Sequence, residues 1–278
     1  MKAMVLLAFD TLDLEQIAKS GQCFRMTRLA PGVFRMPVGS VVVEARQVDA
    51  AHAAFHADMP DEDLRALLSS YLDAEGDYLA ALSAIDPLDR YLTSAAAFGR
   101  GIRILRQPLW ETLASFILSQ NNNIPRIRSL ITRLCGGESR PFPPACEVAR
   151  LGEQALRSMG MGYRAGYLFR AAQRFTPAEE ALLCSMPYPE ARAHLMTYPG
   201  IGEKVANCIC LFGLGFKEAF PVDVWVRRIL TEHYPQGFPL LHSPNAGLYQ
   251  QYMFAYERFL AQQKDECGSG RLPQAGNE

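Results

Sequence analysis

Apolar residues recur along this chain with two different spacings, and the change between them divides the sequence into two regions. In residues 1–88 they occur in short runs rich in strand-forming side chains. Segments 23–28 and 33–36 flank the turn signal Ala30-Pro31-Gly32, and segment 40–46 contains three consecutive valines. This pattern predicts an N-terminal domain built on an antiparallel sheet.

Two helices are expected to flank this sheet. Residues 13–18 are typical of a short helix whose N-terminus is capped by Asp13. Residues 61–72 place several apolar side chains on one face at helical spacing, namely Leu64, Leu67, Leu68 and Tyr71. The N-terminal domain should therefore contain strands with a helix before and after them.

From Asp89 onward the apolar spacing is helical, with proline and glycine marking the boundaries. The helices predicted after this point cover 109–118, a segment opened by Pro125, 155–159, a segment running from Arg164 to about Phe175, 177–184, 189–197, 203–214, 223–234 and 247–262. The predicted fold class is therefore α+β, mainly α. A sheet domain over 1–88 precedes a helical region over 89–264, whose two sub-bundles meet at a cleft. A polar, disordered tail is expected over 265–278.

The composition limits the kind of protein this is. With 278 residues, 49% hydrophobic and 21% charged, the chain is typical of globular proteins. A net charge of −1 argues against indiscriminate coating of nucleic acid, although backbone dipoles and a few arginines can still bind phosphate locally. Because we find neither an apolar run of membrane length nor a leader pattern, we expect an intracellular protein without membrane contact.

Seven cysteines are scattered along the chain. Their number is odd and none forms a C-x-x-C pair. We therefore expect reduced thiols rather than a disulfide scaffold.

The segment from Tyr198 to Asp223 carries the clearest functional pattern. Two glycines, Gly200 and Gly202, break the helical spacing in a tight turn, and an apolar helix follows from Glu203. Glycines before a helix expose backbone N–H groups at the positive end of the helix dipole, which favours phosphate binding. Such a turn can also be an ordinary helix–helix corner. Lys204 just inside the second helix, with Asp223 at an expected N-cap nineteen residues later, favours a functional interpretation.

Residues 195–229 resemble the helix-hairpin-helix DNA glycosylases that carry the Gly-Pro-Asp signature, and Lys204 matches the lysine of their bifunctional branch. Three further stretches narrow the resemblance to the 8-oxoguanine DNA glycosylases. These are Ser20-Gly21-Gln22-Cys23-Phe24-Arg25, Asn121-Asn122-Asn123-Ile124-Pro125-Arg126 and Met161-Gly162-Tyr163-Arg164-Ala165. The matches occur in the family's order and span most of the chain, with the hairpin at 189–214.

The resemblance implies two catalytic residues. Lys204 would attack C1′ of the deoxyribose, forming a Schiff base that permits strand cleavage by β-elimination. A lysine amine is a nucleophile only when neutral, and burial or nearby cations favour that form. Asp223 would remain a fixed carboxylate near the sugar, where it stabilises the oxocarbenium-like transition state. Because the nucleophile is a side-chain amine, no cofactor and no metal are expected.

The resemblance also implies a pocket for the extruded base. The carbonyl of Gly21 would accept the N7 hydrogen that 8-oxoguanine carries and guanine lacks. Cys208 would lie against one face of the base, Phe254 would stack on it, and Gln250, four residues earlier on the same helix face, would bond its Watson–Crick edge. Pro221 completes the expected pocket. The alternative is that Cys208 is a small core filler and that Gln250 and Phe254 are ordinary core residues of a helix.

The expected partner is damaged double-stranded DNA, bound by a monomer. The resemblance implies that Asn121 fills the space left by the base, that Arg126 and Arg164 read the orphaned cytosine, and that Tyr163 wedges beside it. Both arginines follow turn signals, which is typical of loop tips that project into DNA. Gly200 and Gly202 would bind the phosphate backbone of the DNA.

Two residues depart from the family's pattern, and the sequence is also compatible with other functions. Trp225 stands where family members often carry a histidine near the phosphate, and Met26 stands where an aromatic is common. Some related glycosylases hold an iron–sulfur cluster on four cysteines after the catalytic aspartate, but only Cys267 follows Asp223, so no cluster is expected. The alternatives are a glycosylase for another oxidised or alkylated base, a non-catalytic module that grips duplex DNA, or a structural hairpin that is only a packing corner.

Overall fold

The structure is a computed structural model that describes residues 3–268, with the side chains of residues 4–263. An antiparallel five-stranded sheet forms the N-terminal part, in the order β1-β5-β4-β3-β2. Its elements in chain order are β1 Ala3–Ala8, α1 Leu14–Lys19, β2 Thr27–Ala30, β3 Val33–Val38, β4 Val41–Gln47 and β5 His52–Ala57. The predicted α+β class with a leading antiparallel sheet is confirmed.

Two of the five strands carry too weak a signal to be predicted. In β1 the outward-facing Met4 and Leu6 are as apolar as the inward-facing Val5 and Leu7, so the alternation typical of a half-buried strand is hidden. β5, with the sequence His-Ala-Ala-Phe-His-Ala, contains no β-branched residue. Both strands form because they pair with each other and complete a common buried face.

Helices follow to the end of the described chain. They are α2 Asp61–Tyr71, α3 Tyr78–Ser83, α4 Arg90–Gly99, α5 Leu109–Ser119, α6 Ile124–Cys135, α7 Ala145–Leu156 with a π-helical turn Arg157–Met161, α8 Arg164–Arg174, α9 Pro177–Ser185, α10 Tyr188–Leu195, α11 Glu203–Phe212, α12 Val224–His233 and α13 Ala246–Gly268. Of these, α3 and most of α7 were not predicted, and α4 was covered only by the helical spacing from Asp89 onward. A glycine with positive φ, Gly152, kinks α7 and interrupts its pattern.

Two hydrophobic cores support this arrangement. One lies between the sheet and helices α1 and α2, and the other runs through the helical region. Tyr78 and Ala81 of α3 pack in the second core, although they precede the boundary predicted at residue 88. Residues 269–278 of the predicted tail lie outside the described residues, and α13 ends at Gly268.

A buried arginine ties the two parts together. Arg103 is fully buried; it pairs with Asp10, and it donates hydrogen bonds to the carbonyls of Leu72 at 2.9 Å and Thr11 at 3.0 Å. A buried charge requires this degree of pairing, because an unpaired one is costly. The segment after Arg103 is therefore held against the sheet domain, and it positions one wall of the site described below.

Candidate active site

The hairpin between α10 and α11 is shaped by one close contact. Gly200 has φ +81°, and a Cβ at this position would lie 2.4 Å from Cδ2 of Tyr167 on α8. Only glycine satisfies both the backbone angle and the contact. Gly202 is exposed and forms the N-cap of α11. The turn therefore presents the start of α11 at the surface, as the sequence predicts.

Lys204, the second residue of α11, is half-buried with its Nζ 5.4 Å from the centroid of the Phe116 ring. Cys208 lies one turn further along the helix and is buried. Burial raises the pKa of the Cys208 thiol, while the charge of the neighbouring Lys204 opposes that rise. The thiol is therefore neutral at physiological pH and lies beside the amine as a small polar neighbour.

Asp223 is the N-cap of α12. Its Oδ1 accepts a hydrogen bond from the backbone N–H of Val226 at 2.9 Å, and its own carbonyl accepts one from Arg227. The preceding residues Pro221 and Val222 cannot cap in this way, so the chain turns into the helix at Asp223. The cap fixes one carboxylate oxygen and restricts where the other can point.

Lys204 and Asp223 open onto the same cavity, which has a volume of about 770 Å³. This is a typical size for a ligand site. Among the residues predicted from the sequence, the cavity lining includes Gly21, Asn121, Lys204, Asp223 and Phe254. These five come from separate parts of the chain, and the fold alone brings them together.

Gly21 and Phe254 form one wall by direct contact. A Cβ on Gly21 would lie 3.3 Å from Cε1 of Phe254, and Gly21 has φ +78°. The neighbouring Gln22 holds this loop: its side chain binds the backbone of Arg103 and Leu105, and its carbonyl accepts a bond from Gln107 at 2.7 Å. The Gly21 backbone is therefore a fixed part of the cavity, supported by a side chain to which sequence reasoning assigned no role.

Replacing Gly21 with alanine should weaken both the fold and the site. The positive φ costs about 1–2 kcal/mol of unfolding free energy for a residue with a Cβ, and the methyl group would press on the Phe254 ring. Gly39 is a matched control, because it also has a positive φ, of +58°, but nothing lies within 4 Å of its Cβ position. We expect Gly39→Ala to lower the melting temperature comparably and only Gly21→Ala to impair the site's activity. Equal activity of the two variants would contradict this assignment.

Three other predicted pocket residues do not line the cavity. Cys208 and Pro221 are buried behind it, and Gln250 is buried with its Oε1 accepting a hydrogen bond from Gln251 at 2.8 Å. Gln250 and Phe254 lie one turn apart on α13, but only Phe254 reaches the cavity. The structure therefore places Gln250 in the core of the helical region in this state.

Arg164 differs from the expected projecting loop tip. It is buried, and it donates hydrogen bonds to the carbonyls of Gln120 at 2.7 Å and Asn121 at 2.8 Å. These carbonyls follow the end of α5, where helix carbonyls lack partners and a cation is favourable. Asn121 itself has a positive φ of +45°. Arg164 thus clamps the loop that carries Asn121.

The other two predicted DNA contacts are exposed. Arg126 lies at the start of α6 with its side chain in solvent. Tyr163 is 48% exposed, donates a hydrogen bond to the Gln120 carbonyl at 3.3 Å, and packs edge-on against Tyr167. Tyr167 therefore contacts both Tyr163 and the hairpin glycine.

The residues of the cavity wall to which sequence reasoning assigned no role include Phe116, Arg227 and Arg258. Arg258 could have been found because it lies four residues after Phe254 on the same helix face. Of the two departures, Trp225 lines the cavity, whereas Met26 is buried in the sheet core away from it.

Within residues 3–268, no group of three or more His, Cys, Asp or Glu side chains is arranged to hold a metal ion. Over that same range, no helix is long and apolar enough to cross a membrane. The six cysteines whose side chains are described are free thiols.

Two family models match consecutive parts of the chain. Residues 4–113 match the family described as 8-oxoguanine DNA glycosylase, N-terminal domain. Residues 114–237 match the family described as HhH-GPD superfamily base excision DNA repair protein. Together these matches span the sheet region, the hairpin and the capped Asp223.

Two curated relatives and one solved structure are similar over long stretches. A probable N-glycosylase/DNA lyase of Methanothermobacter thermautotrophicus is 31% identical over 80% of this chain and 83% of its own. The N-glycosylase/DNA lyase of Saccharomyces cerevisiae is 38% identical over 52% of this chain, but the match spans only 46% of the yeast protein. The structure of Clostridium acetobutylicum 8-oxoguanine glycosylase/lyase, in complex with double-stranded DNA containing cytosine opposite 8-oxoG, superposes with a TM-score of 0.82. It is 27% identical and covers 92% of this chain and 98% of that one.

Proposed function

Because this chain belongs to the 8-oxoguanine DNA glycosylases of the HhH-GPD superfamily, we propose that it excises 8-oxoguanine from duplex DNA and then cleaves the strand at the abasic site. One observation carries the proposal. Lys204 on α11 and Asp223 at the start of α12 border one cavity together with Gly21 and Phe254. A single extruded nucleotide in this cavity can therefore meet a nucleophile, a fixed anion and a wall on which its base lies.

The proposed reaction begins with loss of the base. As the bond between N9 and C1′ breaks, positive charge develops on the deoxyribose, and the Asp223 carboxylate, fixed by its cap bond to Val226, stabilises it. The electron pair of the broken bond leaves with the base, which takes up a proton. The cap keeps the carboxylate in place before the reaction, so no reorganisation is needed when the charge forms.

Lys204 then completes the substitution. Its neutral amine forms a bond to C1′, and opening of the sugar ring gives a protonated Schiff base between Nζ and C1′. Loss of a proton from C2′ drives β-elimination, which breaks the bond between C3′ and its phosphate oxygen. Hydrolysis of the Schiff base releases the enzyme. The aromatic face of Phe116 near Nζ leaves few water contacts on that side of the amine.

We assign recognition of the lesion to the cavity wall that Gly21 and Phe254 form. The carbonyl of Gly21 is proposed to accept the N7 hydrogen of 8-oxoguanine, and Phe254 to stack on the base. Guanine has a lone pair at N7 and would leave the Gly21 acceptor unpaired. Cys208, Pro221 and Gln250 are buried and do not line the cavity, and we propose that they complete the base pocket when DNA is bound.

We assign contacts with the DNA strand opposite the lesion to the residues around Asn121. Asn121 would enter the space that the base leaves, Tyr163 would wedge beside it, and Arg126 and Arg164 would bond the orphaned cytosine. For Arg164 this requires release of its bonds to the Gln120 and Asn121 carbonyls. We place the protein, as a monomer, on damaged duplex DNA in the cytoplasm, or in the nucleoid if its source is bacterial.

Loss of both arginines should remove the preference for cytosine. Each good bidentate contact discriminates between bases by about 1–3 kcal/mol, so Arg126→Ala combined with Arg164→Ala should bring excision rates opposite C, A, G and T close together. The single Arg126→Ala variant is the cleaner test, because the exposed Arg126 side chain leaves folding intact when removed. A cytosine preference that survives in the double variant would overturn the assignment.

The proposed activity is tested on a panel of duplexes. One carries 8-oxoguanine opposite cytosine, and others carry undamaged guanine, an oxidised pyrimidine or an alkylated purine at the same position. We expect base release and strand cleavage on the first duplex alone. Release from another duplex would indicate a different glycosylase, and binding without release from any duplex would indicate the non-catalytic module.

A further inference from the structure

Positive charge is concentrated at the cavity. Among its described lining residues, Lys204, Arg227 and Arg258 are cations and Asp223 is the one carboxylate, whereas the whole chain has a net charge of −1. The proposed reaction uses Lys204 and Asp223 but gives Arg258 no role. Its position at the end of the cavity formed by α13 therefore needs an explanation.

Arg258 is held in place without an ionic partner. Its Nη1 donates a hydrogen bond of 2.7 Å to the carbonyl of Lys19, and its Cζ lies 5.4 Å from the centroid of the Phe254 ring. In the part of the chain that the structure describes, it forms no ion pair. The remaining guanidinium donors are thus available on a side chain that is already ordered, which reduces the entropic cost of binding an anion.

A second arginine, Arg128, lies beside Arg258 and has a hydrogen-bond donor without a partner. Arg128 on α6 donates a hydrogen bond of 3.1 Å to the Ala18 carbonyl, and its Nε is buried without a hydrogen-bond partner. Arg128 and Arg258 bind the carbonyls of consecutive residues, Ala18 and Lys19, so their guanidinium groups are neighbours. Burial and the charge of Arg128 lower the pKa of Arg258, and the charge of Asp223 opposes this. Two adjacent guanidinium groups concentrate positive charge, which makes the remaining donors of Arg258 a favourable environment for a phosphate oxygen.

We propose that Arg258 binds a phosphate of the DNA strand that carries the extruded nucleotide, with Arg128 supporting it from behind. This inference rests on the proposed function. A nucleotide whose base lies against Phe254, and whose sugar faces Lys204 and Asp223, must place its flanking phosphates at the rim of the cavity. Arg258 lies one helical turn from Phe254 at that rim. Trp225, on the same cavity, contributes only a neutral indole donor.

The experiment pairs a protein variant with a DNA modification. Single-turnover excision is measured over a range of enzyme concentrations for the wild type and Arg258→Gln. Three 8-oxoguanine:cytosine duplexes are used: an unmodified one, and two with a neutral methylphosphonate at the phosphate 5′ or 3′ to the lesion. On unmodified DNA, Arg258→Gln should raise the half-saturating enzyme concentration by roughly tenfold and reduce the log–log salt slope of binding by about 1. On one methylphosphonate duplex, the substitution should have little additional effect, because the contact is already lost.

Further variants separate phosphate binding from a structural role. Arg258→Lys keeps the charge and should restore the salt slope. Arg46 is an exposed arginine on β4, and Arg46→Gln should change neither the half-saturating enzyme concentration nor the salt slope. Fully additive effects with both methylphosphonates, or an unchanged salt slope, would mean that Arg258 only holds α13 against the Lys19 carbonyl, and would overturn the proposal. If the wild type fails to excise 8-oxoguanine from the unmodified duplex, the proposed function itself is wrong, and this outcome is distinct from the others.

Discussion

Replacing Lys204 with glutamine will abolish base excision while leaving lesion DNA bound. Glutamine is polar and only slightly shorter than lysine, and it fits a half-buried site beside the Phe116 ring, but its amide nitrogen is not a nucleophile. Removal of a catalytic nucleophile typically costs several orders of magnitude, and we expect a loss on the order of 10⁴-fold or more. Single-turnover kinetics on an 8-oxoguanine:cytosine duplex measure the rate, and gel mobility measures binding.

The adjacent residue provides a matched control. Glu203 is on the same helical turn and forms an exposed ion pair with Arg192 at 2.8 Å. Exposed pairs contribute about 0–1 kcal/mol to stability, so Glu203→Gln should fold and excise normally. If Lys204→Gln retains turnover near that of Glu203→Gln, then Lys204 is not the nucleophile.

The second large effect is expected at Asp223, where two roles can be separated by the choice of substitution. Asparagine caps a helix about as well as aspartate, so Asp223→Asn should keep the bond to Val226 and the stability of α12. It removes the negative charge that faces the sugar, and loss of one transition-state contact of this kind costs roughly 10²–10³-fold in rate. We expect a folded enzyme that excises 8-oxoguanine at that reduced rate.

Asp223→Ala removes the cap as well as the charge. It should lose a further ~1 kcal/mol of unfolding free energy compared with Asp223→Asn, measured by thermal or chemical denaturation. Excision should be about equally slow in the two variants. Wild-type activity in Asp223→Asn would show that Asp223 serves only as a helix cap, and would remove it from the proposed mechanism.

The hairpin and its two catalytic candidates could be predicted because their signals are local. Glycine and proline interrupt helical spacing wherever they occur, and an aspartate before an apolar helix is an N-cap by short-range geometry. Gly200 and Asp223 therefore occupy the expected positions. The antiparallel sheet was predictable in part for the same reason, since β3 and β4 combine a turn signal with β-branched residues.

Features that depend on tertiary contacts could not be read from the sequence. Turn signals before Arg164 suggested an exposed tip, but its side chain turns inward and binds the carbonyls of Gln120 and Asn121 just after α5. Helical spacing placed Gln250 and Phe254 on one face, yet the packing of α13 turns only Phe254 toward the cavity. The support of Gly21 by Gln22 depends on residues 103–107, more than eighty positions away in the chain.

The central claim is that Lys204 forms a covalent bond to the sugar of an 8-oxoguanine nucleotide. The most direct test is incubation of the protein with borohydride and a duplex containing one 8-oxoguanine opposite cytosine, followed by mapping of the cross-linked peptide. We predict a protein–DNA adduct at Lys204 that is absent with Lys204→Gln and with undamaged duplex. Base release without any adduct would contradict the account, because it would identify water as the nucleophile.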